Sequence, residues 1–421
     1  MQRELNEIEY LNWCVEQPYN MVVAVRIGGR VHPAELRAAL DTAQLRQPML
    51  RVNTKLGANG IPYFDSNGVG SIPLTVVECA APDAAQRLFD SELSAVFARD
   101  QWDAPQLPLL HAALLLPAES HAFADLVLTV QHVIGDGLSV AFLVRDLLRF
   151  MAEPNAEAVV VDAAASPVDL LPAKVRRRLP RHPYVFQLVL LLAKLYAKLR
   201  GHRRRSSQPH VRFHCSWTLS AEQTARLRAR CRTESVSVQS ALSTAFFPEF
   251  PWIHMPVNLR PVLARPVGDA FGLFVGAAEV RLNYRGKLGF WSNARRCHRR
   301  LRKALKDPFG VFRLFSKAVP YAKIRELGPL LVSLAGSDRP FAVTNLGVLD
   351  ALGLAASGPQ FKLESFYGAV SGIVESSVLT VYTLAGVMHL QLLASETSVG
   401  DTTIRDAAGR AVARLLEAID Q

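Results

Sequence analysis

The first part of the chain alternates between apolar runs and amphipathic stretches. Asn20 to Ile27 is an apolar run, which predicts a strand that ends at the turn Gly28-Gly29. Pro33 then suits the first turn of a helix. Along that helix, apolar residues recur at helical spacing at Leu36, Ala39, Leu40 and Ala43. The pattern therefore predicts a strand, a turn and a helix in succession.

A second unit of the same kind follows. Ala124 to His132 is a largely continuous apolar run rich in β-branched residues, as is typical of a buried strand. The next stretch places one apolar face on a helix, at Val140, Leu143, Val144, Leu147 and Met151. His132 is therefore predicted to lie at the end of a strand, just before a helix.

A composition change divides the chain into parts. From about Pro154 to Val211 the chain is rich in Pro, Ala, Arg and Ser, and it contains one amphipathic apolar stretch, Tyr184 to Arg200, with basic flanks. That stretch is shorter than the roughly 20 apolar residues of a spanning helix. We interpret residues 161–210 as a junction between an N-terminal subdomain at 1–160 and a C-terminal subdomain at 211–421.

The second part shows a similar mixture of elements. Ser377 to Leu384 and Val387 to Ser395 flank Ala385-Gly386, which predicts a β-hairpin. An amphipathic helix is predicted to close the chain. The sequence therefore predicts an α/β protein with two mixed subdomains.

Composition agrees with two subdomains in a reducing compartment. A chain of 421 residues, 50% of them hydrophobic, exceeds the size at which single cores stop growing. The five cysteines are scattered, without a disulfide framework or a zinc pattern. The first residues lack the basic start and apolar stretch of a secretion signal, so we expect a cytoplasmic protein.

The net charge of +11 is concentrated in two acid-free stretches. Leu170 to Ala221 carries twelve Lys or Arg residues, and Arg285 to Lys306 carries nine. The remainder of the chain is therefore acidic, with a net charge of about −10. Little aromatic interleaving accompanies the basic residues, so nucleic acid is not an expected partner.

Each basic stretch has two interpretations. Arg295 to Lys306 is either a solvated helix face with Leu301, Ala304 and Leu305 buried, or a docking surface for an acidic carrier protein or for coenzyme A phosphates. Arg176 to Arg178 and Arg203 to Arg205 suit an anionic membrane surface, which would make the protein peripheral at the inner face of the membrane.

The segment with the strongest chemical signal is Gln131-His132-Val133-Ile134-Gly135-Asp136-Gly137. An imidazole at a strand end suits a general base, because its ordinary pKa of about 6.5 leaves it largely neutral at cellular pH. The glycines permit a tight turn. The residues alone leave open a structural histidine with Asp136 as a helix cap.

His-x-x-x-Asp-Gly between a strand and a helix resembles the signature of the acyltransferase superfamily of chloramphenicol acetyltransferase, nonribosomal peptide condensation domains and mycobacterial polyketide-associated, lipid-esterifying acyltransferases. The resemblance covers nearly the whole chain. Three further stretches are similar to that superfamily: Arg30 to Val52, Met255 to Leu282 and Pro340 to Asp350. The first of them contains Arg46-Gln47-Pro48-Met49-Leu50-Arg51 in place of an Arg-His-Pro-x-Leu-Arg element.

The resemblance implies roles for individual residues. His132 matches the catalytic histidine, and Asp136 matches an aspartate that turns away from the active site to pair with an arginine, here Arg260. The oxyanion donor stays open, with the backbone N–H of Gly137 as one candidate and Asn345 and Ser371 as others. Many relatives have two adjacent histidines, and Gln131 stands in the position of the first. The second is the catalytic one in the superfamily, so the base at His132 is kept, and only the branch of the superfamily stays open.

The resemblance also implies a fold and a reaction. Two chloramphenicol-acetyltransferase-like subdomains would enclose a central tunnel, with no metal and no bound cofactor. The donor would be acyl-CoA or a phosphopantetheinyl acyl carrier protein, and the acceptor a lipid or polyketide alcohol. A monomer is expected.

Three functional hypotheses follow from the sequence. The first is ester formation on a hydroxyl, the second is amide formation by a free-standing condensation enzyme, and the third is a non-catalytic relative that binds a carrier protein or a membrane. The sequence has no Gly-x-Ser-x-Gly elbow, no Walker A loop and no His-Glu-x-x-His, so the corresponding hydrolase, nucleotidase and metalloprotease classes find no support.

Overall fold

The computed structural model describes residues 1–14, 20–58, 60–81, 83–94, 104–117, 122–162, 168–178, 188, 191, 195, 211–309, 341–354, 360–370, 377–396 and 403–420. Within these ranges, strands and helices form a mixed α/β arrangement, as the sequence predicts.

The strands are β1 (Gln2–Glu4), β2 (Asn20–Gly28), β3 (Asn53–Leu56), β4 (Pro62–Asp65), β5 (Leu74–Ala80), β6 (Leu110–Pro117), β7 (Phe123–Gln131), β8 (Val211–Leu219), β9 (Trp252–Asn258), β10 (Val275–Arg281), β11 (Phe341–Val348), β12 (Lys362–Val370), β13 (Ser377–Leu384) and β14 (Val387–Glu396). The α-helices are α1 (Glu7–Cys14), α2 (Pro33–Arg46), α3 (Ala84–Ser94), α4 (Gly137–Ala152), α5 (Ala173–Arg176), α6 (Ala221–Thr233), α7 (Val238–Phe246), α8 (Phe290–Ala304) and α9 (Thr403–Asp420). Short 3₁₀ turns lie at Pro48–Arg51, Arg260–Val262, Gly286–Leu288 and Leu349–Leu352.

The first large sheet has the strand order β12-β2-β7-β6-β5. β7 lies at its centre, antiparallel to both neighbours, and residues on both faces of β7 are buried. Helices α2 and α4 pack on one face, and α3 packs against β2 and β7 on the other. Because a central strand covered on both faces must bury every side chain, β7 has the continuous apolar sequence that predicted it.

The second large sheet has the strand order β10-β9-β11-β13-β14-β8. Its core includes apolar residues from α6, α7, α8 and α9. Strand β11 is parallel to both β9 and β13, whereas β13 and β14 form the predicted antiparallel hairpin. The positive φ angles of Ala385 (49°) and Gly386 (80°) make the turn. A third, small sheet pairs β1, β4 and β3.

Residues from the second half of the sequence contribute to the first large sheet and to its core. β12 comes late in the sequence but pairs antiparallel with β2, at the edge of the first sheet. Phe271 and Tyr382, which also come late in the chain, lie in the core of that first sheet. The subdomain boundaries at residues 160 and 210 stay a prediction. Strand β12 lies beyond residue 210 in the sequence, yet it is part of the sheet that the first 160 residues form.

Several local expectations hold, and one is wrong. The predicted apolar positions of α2 and α4 are all buried. In α8, Leu301 is buried as expected, but Leu305 is 41% exposed. The reason is that α8 ends at Ala304, and its buried face is Phe290, Trp291, Ala294, Cys297 and Leu301. Within the described residues, no helix is both long and apolar enough to cross a membrane.

Candidate active site

The candidate site lies in the turn between β7 and α4. β7 ends at Gln131, His132 follows it directly, and α4 begins at Gly137. Glycine is required at position 135, because a Cβ there would lie 2.4 Å from the ring of Phe271. The turn thus holds His132 at the end of a buried strand, close to the second part of the chain.

A backbone hydrogen bond orients the imidazole. Nδ1 of His132 lies 2.8 Å from the carbonyl oxygen of Gly135. Because a carbonyl oxygen only accepts, this contact requires that Nδ1 carry the proton. The lone pair of the neutral ring then resides on Nε2. The turn therefore selects the tautomer in which Nε2 is basic.

The surroundings of His132 favour the neutral ring. The imidazole keeps part of its surface accessible but lies deep among protein atoms. This burial lowers its pKa below the ordinary value, because a charged ring loses its hydration. A hydrogen bond to the backbone of His132 itself, the negative charge of Asp136 and the hydrogen bond to Gly135 oppose this lowering of the pKa only in part. A neutral imidazole at cellular pH is the form that accepts a proton.

Asp136 is the N-cap of α4. Its Oδ1 accepts from the backbone N–H of Ser139 at 2.8 Å and from the Ser139 hydroxyl at 3.0 Å. This satisfies a donor at the start of the helix that would otherwise lack a partner. The capping role considered from the sequence is therefore present, although it is only part of what the carboxylate does.

Arg260 forms a bidentate ion pair with the same carboxylate. Its Nη1 donates to Oδ2 of Asp136 at 2.9 Å and its Nη2 to Oδ1 at 3.2 Å. The backbone N–H of Phe274 also donates to Oδ2 at 2.9 Å. Both partners are buried, with side-chain exposures of 7% for Arg260 and 2% for Asp136. The structure thus brings together the two residues that the resemblance paired, across 124 residues of sequence.

These contacts keep Asp136 ionised in a buried place. Burial alone would raise its pKa, but the Arg260 guanidinium and the hydrogen bonds from Arg260, Ser139 and Phe274 outweigh it and hold the pKa below its ordinary value. Since donors occupy both carboxylate oxygens, Asp136 acts on the loop rather than on the imidazole.

A second set of contacts fixes the loop that follows Arg260. Asp269 accepts from Nη2 of Arg46 at 2.8 Å and from Nη2 of Arg145 at 2.5 Å. The backbone N–H of Phe271 donates to the side chain of Gln47 at 2.9 Å. Because the ring of Phe271 lies against Gly135, these contacts support the turn that carries His132.

The candidate oxyanion residues have different positions. Gly137 opens α4, and a Cβ there would lie 3.1 Å from Leu346, so β11 passes beside the start of that helix. Asn345 on β11 is exposed, and its Oδ1 accepts from the N–H of Gly347 at 2.8 Å. Ser371 lies outside the described residues. The assignment of an oxyanion donor stays a prediction.

Gln131, which replaces the first histidine of many relatives, is the last residue of β7. Its side chain is 8% exposed, and within the described part of the chain its Oε1 has no hydrogen-bond partner. The position therefore presents a neutral amide beside His132 rather than a second titrating ring. Among the described residues, no group of three His, Cys, Asp or Glu side chains is arranged to hold a metal ion.

Sequence reasoning missed several supporting residues. Ser139, Gln47, Arg145, Asp269 and Phe271 all hold the site, but none was singled out. A signal existed for Gln47, which lies in the Arg-x-Pro-x-Leu-Arg element. The partners of Asp269 lie more than 100 residues away along the chain, so no local pattern points to them.

The double-mutant cycle of Asp136→Asn and Arg260→Ala tests the ion pair. Each single variant should lose about 3 to 5 kcal/mol of unfolding free energy, because it leaves a buried charge or polar group without its partner. The double variant should lose much less than the sum. Chemical denaturation of the four proteins measures this coupling.

The exposed pair of Asp83, just before α3, and Arg87, on α3, provides the matched control. Its coupling energy should be at most about 0.5 kcal/mol, as for other exposed pairs at this helical spacing. Additive losses at Asp136 and Arg260 would show that the two side chains do not stabilise each other.

Comparisons with known proteins agree with this geometry at the level of the fold. No protein-family profile and no curated protein sequence matches the chain. Several solved structures are similar to it. A trichothecene 15-O-acetyltransferase from Fusarium sporotrichioides superposes with a TM-score of 0.72 at 12% identity, over 99% of this chain and 95% of the other.

Two further structures are similar over the whole chain. The cyclization-docking bidomain of a nonribosomal peptide synthetase from Sorangium cellulosum gives a TM-score of 0.69 at 14% identity, over 100% of this chain and 86% of the other. Polyketide synthase associated protein 5 from Mycobacterium tuberculosis gives 0.63 at 16% identity, over 100% and 98%. The chain therefore shares its chloramphenicol-acetyltransferase-like fold with these three structures.

Proposed function

We propose that this protein is an acyltransferase that moves a fatty or polyketide acyl group from a thioester to a hydroxyl acceptor. The observation that carries the proposal is the hydrogen bond from Nδ1 of His132 to the Gly135 carbonyl, which leaves the basic lone pair on Nε2. A buried, neutral imidazole at a strand end is equipped to remove a proton.

In the proposed reaction, Nε2 of His132 both accepts and returns the proton. Nε2 takes the proton from the acceptor hydroxyl as its oxygen attacks the thioester carbonyl. The tetrahedral intermediate then collapses, the carbon–sulfur bond breaks, and the imidazolium returns the proton to the thiolate. The products are an ester and a thiol, and His132 ends as it began.

The site differs from a Ser-His-Asp triad in what orients the histidine. In a triad a carboxylate accepts from Nδ1 and stabilises the imidazolium. Here a backbone carbonyl accepts from Nδ1, while Asp136 is occupied by Arg260, Ser139 and Phe274. A neutral acceptor stabilises the imidazolium less than a carboxylate does. His132 is therefore suited to hold the proton only briefly, between its removal from the acceptor and its return to the leaving thiolate.

The alternative that shares this base is amide formation by a condensation enzyme. An amine acceptor would lose its proton to the same Nε2, and the nonribosomal peptide synthetase bidomain among the similar structures supports this alternative. The trichothecene 15-O-acetyltransferase among the similar structures supports acyl transfer to a hydroxyl. Ester formation is the proposal, because the trichothecene enzyme is named for transfer to an oxygen.

Helix α8 is the proposed docking surface for the donor. Arg299, Arg302 and Lys303 are exposed on it. The pKa of Arg296 on the same helix is lowered by burial and by the neighbouring guanidinium groups of Arg285, Arg300 and Arg299, which reflects a concentration of positive charge. Such a surface suits the acidic face of an acyl carrier protein or the phosphates of coenzyme A. No metal or bound cofactor takes part in the proposed reaction.

Replacing His132 by Ala should reduce acyl transfer about 10²- to 10⁴-fold, the range that general-base catalysis typically contributes. The melting temperature should change little. Thiol release from acyl-CoA and from an acyl carrier protein, with alcohol and amine acceptors, measures the effect on each reaction. His32→Ala, at an exposed helix N-cap, is the control and should keep full activity. A His132→Ala enzyme within a few-fold of the parent would remove the base from its role.

The pH profile of kcat/KM should be flat at neutral pH and fall with acid along one limb. Its midpoint should lie below the ordinary imidazole value of about 6.5, because burial lowers the pKa of His132 and protonation removes the base. Asp136 stays ionised over this range, since its pKa is held low. A midpoint above 6.5 in a protein still folded at that pH would contradict the assigned environment.

A further inference from the structure

A basic, solvent-facing segment is anchored directly on the loop that carries Arg260. Val168 and Leu171 are buried against Leu259 and Phe309. The backbone N–H of Ala264 donates to the carbonyl oxygen of Leu170 at 2.8 Å. Residues 168–178 are therefore fixed to the same loop that supports the active-site turn.

The outer side of this segment carries uncompensated positive charge. Lys174, Arg176, Arg177 and Arg178, on and just after α5, are all exposed. None of the four forms an ion pair with another described residue, whereas most exposed arginines on α3, α4 and α6 do. Arginine side chains without carboxylate partners remain available to an external anion.

Three exposed leucines, here called the leucine stripe, lie further along the chain. Leu188, Leu191 and Leu195 are helical, and they are 56%, 64% and 50% exposed. Their spacing of three and four residues is the spacing at which side chains share one face of a helix. Large apolar side chains that share an exposed face suit contact with an apolar environment.

We propose that Lys174, the three arginines and the leucine stripe together form a docking surface for an anionic lipid membrane. An apolar face alone would suit several occupants, but the unpaired cations on and just after α5 favour a negatively charged one. A helix with an apolar face and basic neighbours lies in the plane of the membrane interface, with its apolar side chains among the lipid acyl chains. The basic residues then contact the headgroups.

The anchor gives this docking a consequence for the site. Because residues 168–171 pack on the Arg260 loop, docking through α5 would bring the membrane to the part of the molecule that contains this loop. This orientation suits an acceptor or donor that resides in the membrane. The consequence rests on the proposed acyl transfer, whereas the docking itself does not.

Vesicle co-sedimentation of the full chain tests the docking independently of catalysis. The parent should bind vesicles of phosphatidylcholine with phosphatidylglycerol, should not bind phosphatidylcholine alone, and should release as salt rises. Replacing Lys174, Arg176, Arg177 and Arg178 by Gln should weaken binding by a factor on the order of 10³, at about 1 kcal/mol for each charge. Replacing Leu188, Leu191 and Leu195 by Asn should also weaken it, even at low salt.

Two controls make the outcome decisive. A variant with Arg299, Arg302, Lys303 and Lys306 replaced by Gln removes the same number of exposed charges from α8 and its end, and it should keep most of the binding. Equal losses in both charge variants would show general adhesion and overturn the proposal. Thiol release with a soluble acceptor should be unchanged in the leucine variant.

Three results would overturn the proposal in identifiable ways. If the parent protein does not co-sediment with anionic vesicles at low salt, it has no such surface. A parent that dimerises through the stripe, with the leucine variant monomeric in sedimentation velocity, has a second copy as its occupant. A leucine variant that loses activity on a soluble acceptor while remaining folded has the stripe as a lid over its own site.

Discussion

The structure of the site depends on the buried ion pair between Asp136 and Arg260. Taking two charges out of water is costly, and a buried pair is retained only where further hydrogen bonds complete it. Here the carboxylate accepts from Arg260, from the N–H and hydroxyl of Ser139, and from the N–H of Phe274. One residue thereby caps α4, closes the turn after β7 and binds the loop from the second part of the chain.

The consequence for chemistry is indirect. With Asp136 fixed, the turn places the Gly135 carbonyl where it accepts from Nδ1 of His132, and the ring of Phe271 packs against Gly135. The imidazole then has one tautomer, and burial keeps it neutral. The contacts of Asp269 with Arg46 and Arg145 hold the same loop at a second point, so its position does not rest on a single pair.

The sequence predicts local structure well and long-range contacts only through the resemblance. The apolar pattern around His132 was enough to place it between a strand and a helix, because a central strand buried on both faces reads as a continuous apolar run. The pairing of Asp136 with Arg260 came from the superfamily, not from spacing. Nothing local connects Gln47 with Phe271 or places β12 beside β2, since those contacts depend on the tertiary fold.

Failures of prediction have physical causes as well. Leu305 continued the apolar pattern of α8, but the helix ends one residue earlier and leaves that side chain exposed. Ser371 and the second basic cluster, Arg203 to Arg205, fall outside the described residues, so their predicted roles are untested. The substrates were beyond prediction, because residues distant in sequence shape a binding surface.

The most direct test of this account is the protonation of the His132 ring itself. In protein labelled with ¹⁵N at histidine, the nitrogen resonances of His132 should show a protonated Nδ1 and an unprotonated Nε2 at pH 7. The ring should become charged only below the ordinary imidazole range. A ring that is protonated at Nε2, or already an imidazolium at pH 7, would contradict the claim that the turn prepares His132 as a base.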